Sequence, residues 1–437
     1  MLQTVTNLKL KELISKNDYK LLDVRPSAAF NGWPLQGEKR GGHIPRATSF
    51  PVKWFNDLSK EGAIKKLFEK GIDKKKQVIV IGYSKADMES AANNLKDMGF
   101  PNVLIHSEGM PGWSSESDLP LKYLPRYRHL VHPGWIKQLL DGKNPEPGNI
   151  DRFILAHVNF DNQRDYDEGH IRGSIWLDTL VLENELDWNC RTPQELEEGL
   201  KAHGITSNTT VVLFGRTNNP DMSQEAPGKQ AGKLASMRAA LLLMYAGVKD
   251  VRVLDGGLNT WLRSGGSITT EETLPVPVEK TGLNIPEHPE YIVDTTKAKQ
   301  MLSDPNSELV SIRSWYEYIG KVSGYHYIKS AGRIPGSIFG NCGSDAYHME
   351  NYRNHDDTMR SFEEIAAFWK ESGITPNKHI AFYCGTGWRA SEAFFYAWLM
   401  GWKKISIYDG GLYEWIDDPG NPIEVGEPQS FSTGKLL

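Results

Sequence analysis

The sequence predicts an α/β fold made of three tandem domains, each a parallel sheet flanked by helices. Its 437 residues exceed what one core holds, because single cores stop growing at about 250 to 300 residues. One sequence unit recurs three times, which is typical of a repeat architecture. Within each unit, short apolar strands alternate with helical patterns of about a dozen residues, the order expected of parallel strands joined by crossover helices.

The second half of the unit is its most regular part. It contains an apolar strand, a loop, a helix that ends in glycine, a second short strand and an acid-Gly turn followed by tryptophan. The three copies are residues 77–113, 210–261 and 379–415. Because Gly99, Gly247 and Gly401 stand where a left-handed C-cap would end a helix, each copy predicts a strand-helix-strand unit.

The first half of the unit repeats as well. Its copies begin LLDVRPSAAF, LAHVNFDNQRDY and LVSIRSWYEYIG, and they continue into the turns GGHIPRA, EGHIRGS and AGRIPGS. Polar, proline-containing stretches separate the copies, so we predict domains at 1–126, 127–270 and 285–437. The second domain carries an inserted polar loop at 216–232. A loop of that length is expected to serve a function, and we predict a lid over the crevice of the third domain.

Composition and charge exclude several classes of function. Fifty basic and 55 acidic residues give a net charge of −5, so nucleic acid is not an expected partner. The N-terminus lacks an apolar signal-peptide core and no apolar run is long enough to span a bilayer, which predicts a cytoplasmic protein without a membrane partner. Three cysteines without C-x-x-C spacing and twelve histidines without ligand spacing predict no metal and no cofactor.

The loop after the central strand distinguishes the third copy from the other two. Cys384 closes the strand HIAFY, and we take its counterparts to be Tyr83 in the first copy and Gly215 in the second. Neither counterpart is a nucleophile of comparable strength. We therefore predict that the first two domains are catalytically inactive and that the third is the catalytic domain.

The sequence around Cys384 is suited to a reactive thiol. The string Cys384-Gly385-Thr386-Gly387-Trp388-Arg389 leaves a strand end and enters a helix, at the edge of the sheet where ligands bind in α/β proteins. Two glycines let several N–H groups turn inward, and the helix N-terminus adds partial positive charge. Such a cradle stabilises a thiolate, a persulfide or the oxygens of a sulfonate. The alternative is that Cys384 is a small, buried, apolar strand-end residue.

These motifs resemble the rhodanese domain, and the resemblance covers essentially the whole chain in three tandem copies. The string from Tyr383 to Arg389 resembles that of three-domain sulfurtransferases in particular. The resemblance implies a persulfide on Cys384, formed from a sulfane-sulfur donor such as thiosulfate or polysulfide and passed to a nucleophilic acceptor. Two kinds of three-domain member come into question: a periplasmic thiosulfate sulfurtransferase, and an ergothioneine-forming enzyme that moves polysulfide sulfur to the imidazole of hercynine.

Three arginines of the third copy are candidate substrate-binding residues. Arg389 could orient an anionic donor through its fork of N–H groups; alternatively it is a first-turn arginine that faces solvent. Arg313 and Arg333 are expected to reach the same crevice, and the alternative for Arg313 is an ion pair with Glu317. The third copy departs from the family pattern, because Ser311 and Arg333 replace the usual Asp and His.

Aromatic residues are frequent between residues 315 and 339. Aromatic faces bind a trimethylammonium group, which cannot hydrogen-bond and is held by cation–π attraction. Tyr325 could also deliver or remove a proton, and we include it among the substrate-binding residues. Ordinary domain packing is the alternative for most of these rings, and Cys342 is interpreted as a bystander thiol in a Gly-rich turn.

Three other functions are alternatives to a sulfurtransferase that uses small-molecule donors and acceptors. The first is the ergothioneine synthase just described. A cysteine phosphatase would have five residues between Cys and Arg, whereas four separate Cys384 from Arg389. A non-enzymatic sulfur carrier fits the first two copies but not the third. The sequence leaves a homodimer open.

Overall fold

The computed structural model describes residues 2–16, 18–146, 150, 152–161, 163–216 and 232–428. The chain divides into two compact units, Met1–Arg128 and His129–Leu437. The first unit is one domain and the second unit contains two domains, so the described residues form three five-stranded sheets. Residues 217–231 of the predicted lid at 216–232 lie outside the described residues. Within the described ranges, no helix combines the length and apolarity needed to cross a membrane.

The first domain is a parallel sheet with helices on both faces. Its strands are β1 (Gln3–Val5), β2 (Tyr19–Asp23), β3 (Ala47–Ser49), β4 (Gln77–Ile81) and β5 (Val103–His106). Its helices are α1 (Asn7–Leu13), α2 (Ser27–Asn31), α3 (Trp54–Asp57), α4 (Lys60–Glu69), α5 (Lys85–Asp97) and α6 (Gly109–Ser115). The strand order is β1-β5-β4-β2-β3, and two apolar clusters pack against the sheet. A 3-10 helix spans Tyr127–His129.

The second domain repeats this order. Its strands are β6 (Leu130–Val131), β7 (Phe153–Asn159), β8 (Ile175–Asp178), β9 (Thr210–Phe214) and β10 (Asp250–Leu254), in the order β6-β10-β9-β7-β8. Its helices are α7 (Pro133–Leu140), α8 (Arg164–Asp167), α9 (Pro193–Ala202), α10 (Gly232–Ala246) and α11 (Gly257–Arg263), with a 3-10 helix at Thr179–Val181. All residues of α10 except Tyr245 are buried, which is typical of a helix covered on every side.

The third domain follows a 3-10 helix at Pro289–Tyr291. Its strands are β11 (Ile292–Val293), β12 (Ser307–Ser311), β13 (Ile338–Phe339), β14 (His379–Tyr383) and β15 (Ile405–Tyr408), in the order β11-β15-β14-β12-β13. Its helices are α12 (Thr295–Leu302), α13 (Trp315–Tyr318), α14 (Phe362–Glu371), α15 (Trp388–Leu399) and α16 (Gly411–Trp415). Because β14 is central and parallel to β12 and β15, the loops after these three strands meet at one edge of the sheet.

The second and third domains pack against each other through α10 and α15. Each domain also extends a hairpin over the other. The second domain's hairpin is closed by a bridge between Glu183 and Cys190, and the third domain's by a bridge between Arg353 and Met359. The N–H of Cys190 donates to Asp409 Oδ2, and the N–H of Met359 donates to Asp255 Oδ1, both at 2.7 Å. Each hairpin is therefore anchored on the acid-Gly-Gly turn of the opposite domain.

Candidate active site

Cys384 lies directly after β14 on a loop that the structure holds tightly. Cys384 is 1% exposed, and its carbonyl oxygen accepts a hydrogen bond from the N–H of Leu412 at 2.9 Å. The N–H of Tyr413 donates to the next carbonyl, that of Gly385, at 3.0 Å. Within the described part of the chain, the N–H groups of residues 385–387 donate to no other residue. These donors are thus available to an anion on the cysteine sulfur.

The two loop glycines are required by close contacts. A Cβ on Gly385 would lie 2.6 Å from the Tyr325 ring, closer than real Cβ atoms approach. Gly387 has φ +84°, caps α15, and would place a Cβ 3.1 Å from Nη1 of Arg238 and from the carbonyl oxygen of Asp409. The loop is therefore fixed from the third domain on one side and partly from the second domain on the other.

The first two domains can be compared with this loop through one shared hydrogen bond. The Leu412 N–H bond to Cys384 corresponds to a Met110 N–H bond to Gly82 and a Leu258 N–H bond to Gly215, each at 2.9 Å. The counterpart of Cys384 in the first domain is therefore Gly82, and our sequence-based choice of Tyr83 was wrong by one residue. The strands β4, β9 and β14 each have five residues and are followed directly by Gly82, Gly215 and Cys384, so the error came from counting Gly82 as the last residue of its strand.

Tyr83 instead packs against two charged side chains of the first domain. Its hydroxyl lies 3.5 Å from Oε2 of Glu38, and its ring is 5.7 Å from the guanidinium carbon of Arg25. Arg25 is buried and paired with both Glu38 and Asp23. Tyr83, Glu38 and Arg25 therefore contact one another beside the loop that follows β4.

Arg389 is the first of the predicted substrate-binding arginines, and it does not face solvent. It is fully buried, and its two terminal nitrogens donate to the two carboxylate oxygens of Glu317 at 2.8 and 2.9 Å. Its Nε is buried and has no partner among the described residues. Burial alone would raise the pKa of Glu317, but Arg389 and Arg313 outweigh it and lower that pKa to about 2.

The other two arginines are also committed to protein groups. Arg313 donates to Glu317 at 3.2 Å and to the carbonyl oxygens of Gly332 and Ser323, so the ion pair considered from the sequence is present. Arg333 pairs with Glu424 and donates to the carbonyl oxygen of Gly426 at 2.7 Å. Among the contacts of the described residues, none joins Arg333 to loop 384–389, so the structure does not bring Arg333 to the cysteine.

Aromatic residues of the third domain cover the loop. Tyr325 packs on Gly385, stacks on Tyr327 at 5.1 Å between centroids, and donates its hydroxyl to the carbonyl oxygen of Ala346 at 3.1 Å. Burial raises the pKa of Tyr325 well above its usual value, although Arg389 opposes the shift. Burial also raises the pKa of Tyr327, against the effect of a hydrogen bond with Thr386. Both phenols are therefore neutral proton donors at physiological pH.

The second domain completes this aromatic wall. Trp188, in the hairpin between Glu183 and Cys190, has φ +63° and stacks on Tyr327 with centroids 6.0 Å apart. Phe160, which follows β7, lies 4.9 Å from the Trp188 ring and 6.0 Å from the Trp388 ring. The sequence analysis did not identify Phe160 or Trp188, because no local pattern shows which rings of one domain reach another.

Within the described residues, no cluster of three or more His, Cys, Asp or Glu is arranged to hold a metal. The remaining cysteines are also accounted for. Burial raises the pKa of Cys342 to about 12, and burial also raises that of Cys190. Neither thiol has the ionisation that a nucleophile needs.

A cysteine on an N–H-lined turn at the carboxyl edge of a parallel sheet, with four residues between it and the next arginine, is the arrangement of a sulfurtransferase of the α/β class. The chain belongs to the rhodanese family, since the model of the rhodanese-like domain matches residues 6–116, 133–264 and 294–418. The chain is 37% identical over 423 residues to the thiosulfate sulfurtransferase YnjE of Escherichia coli (strain K12), covering 96% of this chain and 92% of that protein.

Solved structures give a second set of relatives. The anaerobic ergothioneine biosynthesis enzyme of Chlorobium limicola, in complex with its natural substrate trimethyl histidine, is 45% identical with a TM-score of 0.95, over 98% of this chain and all of that one. A structure of the enzyme EanB with a cysteine persulfide and ergothioneine, in a tetrahedral intermediate state, matches with a TM-score of 0.94, 45% identity and the same coverage. The protein is thus a sulfurtransferase of three rhodanese-like domains.

Proposed function

We propose that Cys384 carries a persulfide and that the acceptor is the imidazole ring of a histidine betaine, with polysulfide as the donor. The observation that supports this choice is the wall of aromatic rings beside Cys384, to which the second and third domains both contribute. Such faces bind a trimethylammonium group through cation–π attraction. The relatives at 45% identity, one of them with trimethyl histidine bound, point the same way.

The first half-reaction loads sulfur onto the enzyme. The Cys384 thiolate attacks a terminal sulfur of polysulfide, an S–S bond breaks, and the shortened polysulfide leaves with the electron pair. The free N–H groups of residues 385–387 and the start of α15 stabilise the anionic outer sulfur that results. Arg389 Nε, which has no partner among the described residues, is a further donor for an anionic substrate.

The second half-reaction transfers the outer sulfur. The imidazole C2 loses its proton and forms a C–S bond to that sulfur, while the S–S bond breaks and its electron pair remains on Cys384 as thiolate. The sulfane sulfur becomes the thione sulfur, so atoms and electrons balance without an external oxidant. Tyr325, held neutral by burial and packed on Gly385, is the group that we assign to the proton transfer of this step: its hydroxyl donates a proton to the unprotonated ring nitrogen and takes up the proton that C2 loses, so the thione leaves with both ring nitrogens protonated.

A second candidate acceptor is a simple nucleophile such as cyanide, with thiosulfate as donor. The 37% identity to a thiosulfate sulfurtransferase favours it. Its site would need the N–H cradle but not the aromatic wall. The two candidates therefore share the Cys384 persulfide and differ in what contacts the acceptor.

We also propose that the first two domains are inactive, because Gly82 and Gly215 stand where the third domain has Cys384. The net charge of −5 supports small-molecule substrates rather than nucleic acid. A cytoplasmic location, the absence of membrane partners and a homodimer remain predictions, as do the domain boundaries.

The deciding experiment is incubation of the full chain with polysulfide and hercynine, with the thione product measured by mass spectrometry. We expect ergothioneine from the wild type and none from Cys384→Ser. Thiosulfate and cyanide are tested in parallel. Rapid thiocyanate formation without any thione would reject the imidazole acceptor and leave the simpler transfer reaction.

A further inference from the structure

Arg238 is a residue of the second domain whose guanidinium group reaches the third domain's site. It lies in α10 and is fully buried. Its Nε donates to Glu183 Oε2 at 2.8 Å, its Nη1 donates to Asp409 Oδ1 at 2.5 Å, and its Nη2 donates to the carbonyl oxygen of Trp188 at 2.7 Å. One planar cation therefore joins the α10 helix, the second domain's hairpin and the third domain's acid-Gly-Gly turn.

Each partner of Arg238 in turn contacts a part of the active site. Glu183 Oε2 also accepts the indole N–H of Trp388 at 3.0 Å, so Arg238 and the catalytic loop share one carboxylate oxygen. Nη1 of Arg238 lies 3.1 Å from the position of a Cβ on Gly387, so Arg238 packs closely against the catalytic loop at this glycine. Asp409 Oδ2 accepts the N–H of Cys190 and so holds the same hairpin from its other end.

The position of Trp188 depends on this network most directly. Its backbone has φ +63°, a conformation that a tryptophan adopts only where its surroundings impose it. The hydrogen bonds from Arg238 to its carbonyl oxygen and from Cys190 to Asp409 hold the chain at Trp188 and just after it, and the N–H of Trp188 donates to the carbonyl oxygen of Asn184 at 2.8 Å. Its ring then packs on Tyr327, beside Cys384.

The charges show that the arginine is needed there. Two buried carboxylates face one guanidinium, and burial raises the pKa of Glu183 to about 7 even though Arg238 lowers it. Without Arg238, both Glu183 and Asp409 would be buried with no cation among the described residues within ion-pair distance. The carboxylates would then take up protons or move, and their hydrogen bonds to the loop and hairpin would change.

The opposite side of the same interface offers an internal comparison. Lys233 is also fully buried in α10, and its Nζ donates to the carbonyl oxygen of Asp357, a residue with φ +66° in the third domain's hairpin. Lys233 thus binds a backbone carbonyl oxygen of the third domain's hairpin, as Arg238 binds the carbonyl oxygen of Trp188 in the second domain's hairpin. Lys233 lies near Asp255, in the acid-Gly-Gly turn of the second domain. In that domain, Gly215 rather than a cysteine follows the central strand β9.

We infer that Arg238 is a positioning residue for sulfur transfer, which acts from the second domain by holding Trp388 through Glu183, the turn at Asp409 and the aromatic hairpin at Trp188. Among the described residues, its hydrogen bonds go to Glu183, Asp409 and Trp188 and not to Cys384. Since it positions the wall rather than the thiol, it should matter more for the acceptor half-reaction than for persulfide formation. The inference relies on the proposed function only for the choice of hercynine as acceptor.

The test compares Arg238→Met, Arg238→Lys and Lys233→Met in the full chain, with the two half-reactions measured separately by intact mass. Formation of the Cys384 persulfide is followed with polysulfide, and its decay is followed after addition of hercynine. We expect Arg238→Met to slow the decay by about 30-fold and the formation by less than about 3-fold, because small displacements at a reacting site are costly. Arg238→Lys keeps the charge but not the three-way geometry and should fall between.

Lys233→Met removes a cation of similar burial from the same interface and should leave both half-reactions within about 3-fold of wild type. Equal slowing of both half-reactions in Arg238→Met, or equal slowing of the decay in Lys233→Met, would mean that Arg238 only holds the domains together and would overturn the inference. If Arg238→Met does not fold, the rates of the two half-reactions are compared in Arg238→Lys instead, and equal slowing of both would likewise overturn the inference. A wild-type persulfide that is inert to hercynine contradicts the proposed acceptor instead, and the comparison is then made with glutathione.

Discussion

Glu317 and Arg389 form a two-point ion pair, with the terminal nitrogens of Arg389 2.8 and 2.9 Å from the two carboxylate oxygens of Glu317. The pair joins α13 to the first turn of α15, and it is completed by the N–H of Ser314 and by Arg313. The arginine that ends the cysteine loop is thus fixed before any substrate binds. Its charge is largely balanced, and the backbone N–H groups are left as the main anion donors.

This ion pair predicts a specific loss of stability in acid. The pKa of Glu317 is about 2 in the folded chain against 4.5 for an ordinary glutamate, so its contribution is present above pH 4.5 and is lost as the pH falls toward 2. A difference of that size corresponds to about 3 kcal/mol. We expect Glu317→Gln to be less stable at pH 7 by a similar amount and to lose less stability than wild type between pH 4.5 and 2. Urea unfolding across that range measures both, and parallel pH profiles would contradict the assignment.

Cys384 is predicted to be the sole essential thiol. Cys384→Ser should abolish sulfur transfer, because a serine hydroxyl forms no persulfide. Cys342→Ser and Cys190→Ser should retain activity within about 3-fold, since burial keeps both thiols protonated. Persulfide detected by intact mass in Cys384→Ser, together with residual turnover, would show that another cysteine carries the sulfur.

The part of the site that the sequence predicts is the part that is contiguous in the chain. Strand, glycine loop and helix follow one another at 379–399, so their joint effect on Cys384 can be inferred without knowing the packing. The three sheets were predicted for the same reason, because each strand-helix-strand unit is local. The direction of an arginine is not local: Arg333 turns to Glu424 rather than to the loop, and Arg313 binds main-chain carbonyls.

The contribution of the second domain could not be read from the sequence either. Trp188 and Arg238 lie 196 and 146 residues before Cys384, and their effect depends on how α10 packs on α15. Interdomain packing is set by shape and by buried charge, and neither has a periodic signature. The assignment of Tyr83 failed because the end of β4 cannot be fixed from an apolar run alone, whereas strand pairing and the hydrogen bond from Met110 to Gly82 both align Gly82 with Cys384.

Gly387 is predicted to be needed for close contact as well as for its backbone angle. Gly387→Ala would add strain at φ +84° and place a Cβ 3.1 Å from Arg238, so we expect sulfur transfer to fall by more than about 10-fold. Gly373→Ala is the matched control, because Gly373 has φ +79° with open space around the added Cβ. It should lose stability of about 1 kcal/mol without loss of activity. Equal activity of the two variants would show that the contact with Arg238 is unimportant.

Trp188 is predicted to determine acceptor selectivity. Trp188→Leu removes one aromatic face of the wall, and cation–π attraction of about 1 to 2 kcal/mol corresponds to roughly a 10-fold higher KM for hercynine. Transfer to cyanide, which has no cationic group, should change by less than about 2-fold. Leu186→Ala in the same hairpin is the control, since that side chain is 80% exposed. A parallel loss with both acceptors would place Trp188 in the fold rather than in acceptor binding.

Tyr325 is predicted to act in the acceptor half-reaction alone. Tyr325→Phe keeps the ring that packs on Gly385 and removes only the hydroxyl, so the loop and the persulfide should form as in wild type. Thione formation from hercynine should slow by about 100-fold, because general acid-base catalysis typically contributes 10² to 10⁴. Cyanide attacks the persulfide without a proton relay, so sulfur transfer to cyanide should proceed at nearly the wild-type rate.

Since burial raises the pKa of Tyr325 well above its usual value, the hydroxyl stays protonated, and the wild-type rate should show no loss between pH 7 and 10 from its ionisation. A Tyr325→Phe variant with unchanged thione formation would exclude this phenol as the donor, and Tyr327, which stacks on it and hydrogen-bonds with Thr386, would be the group to substitute next.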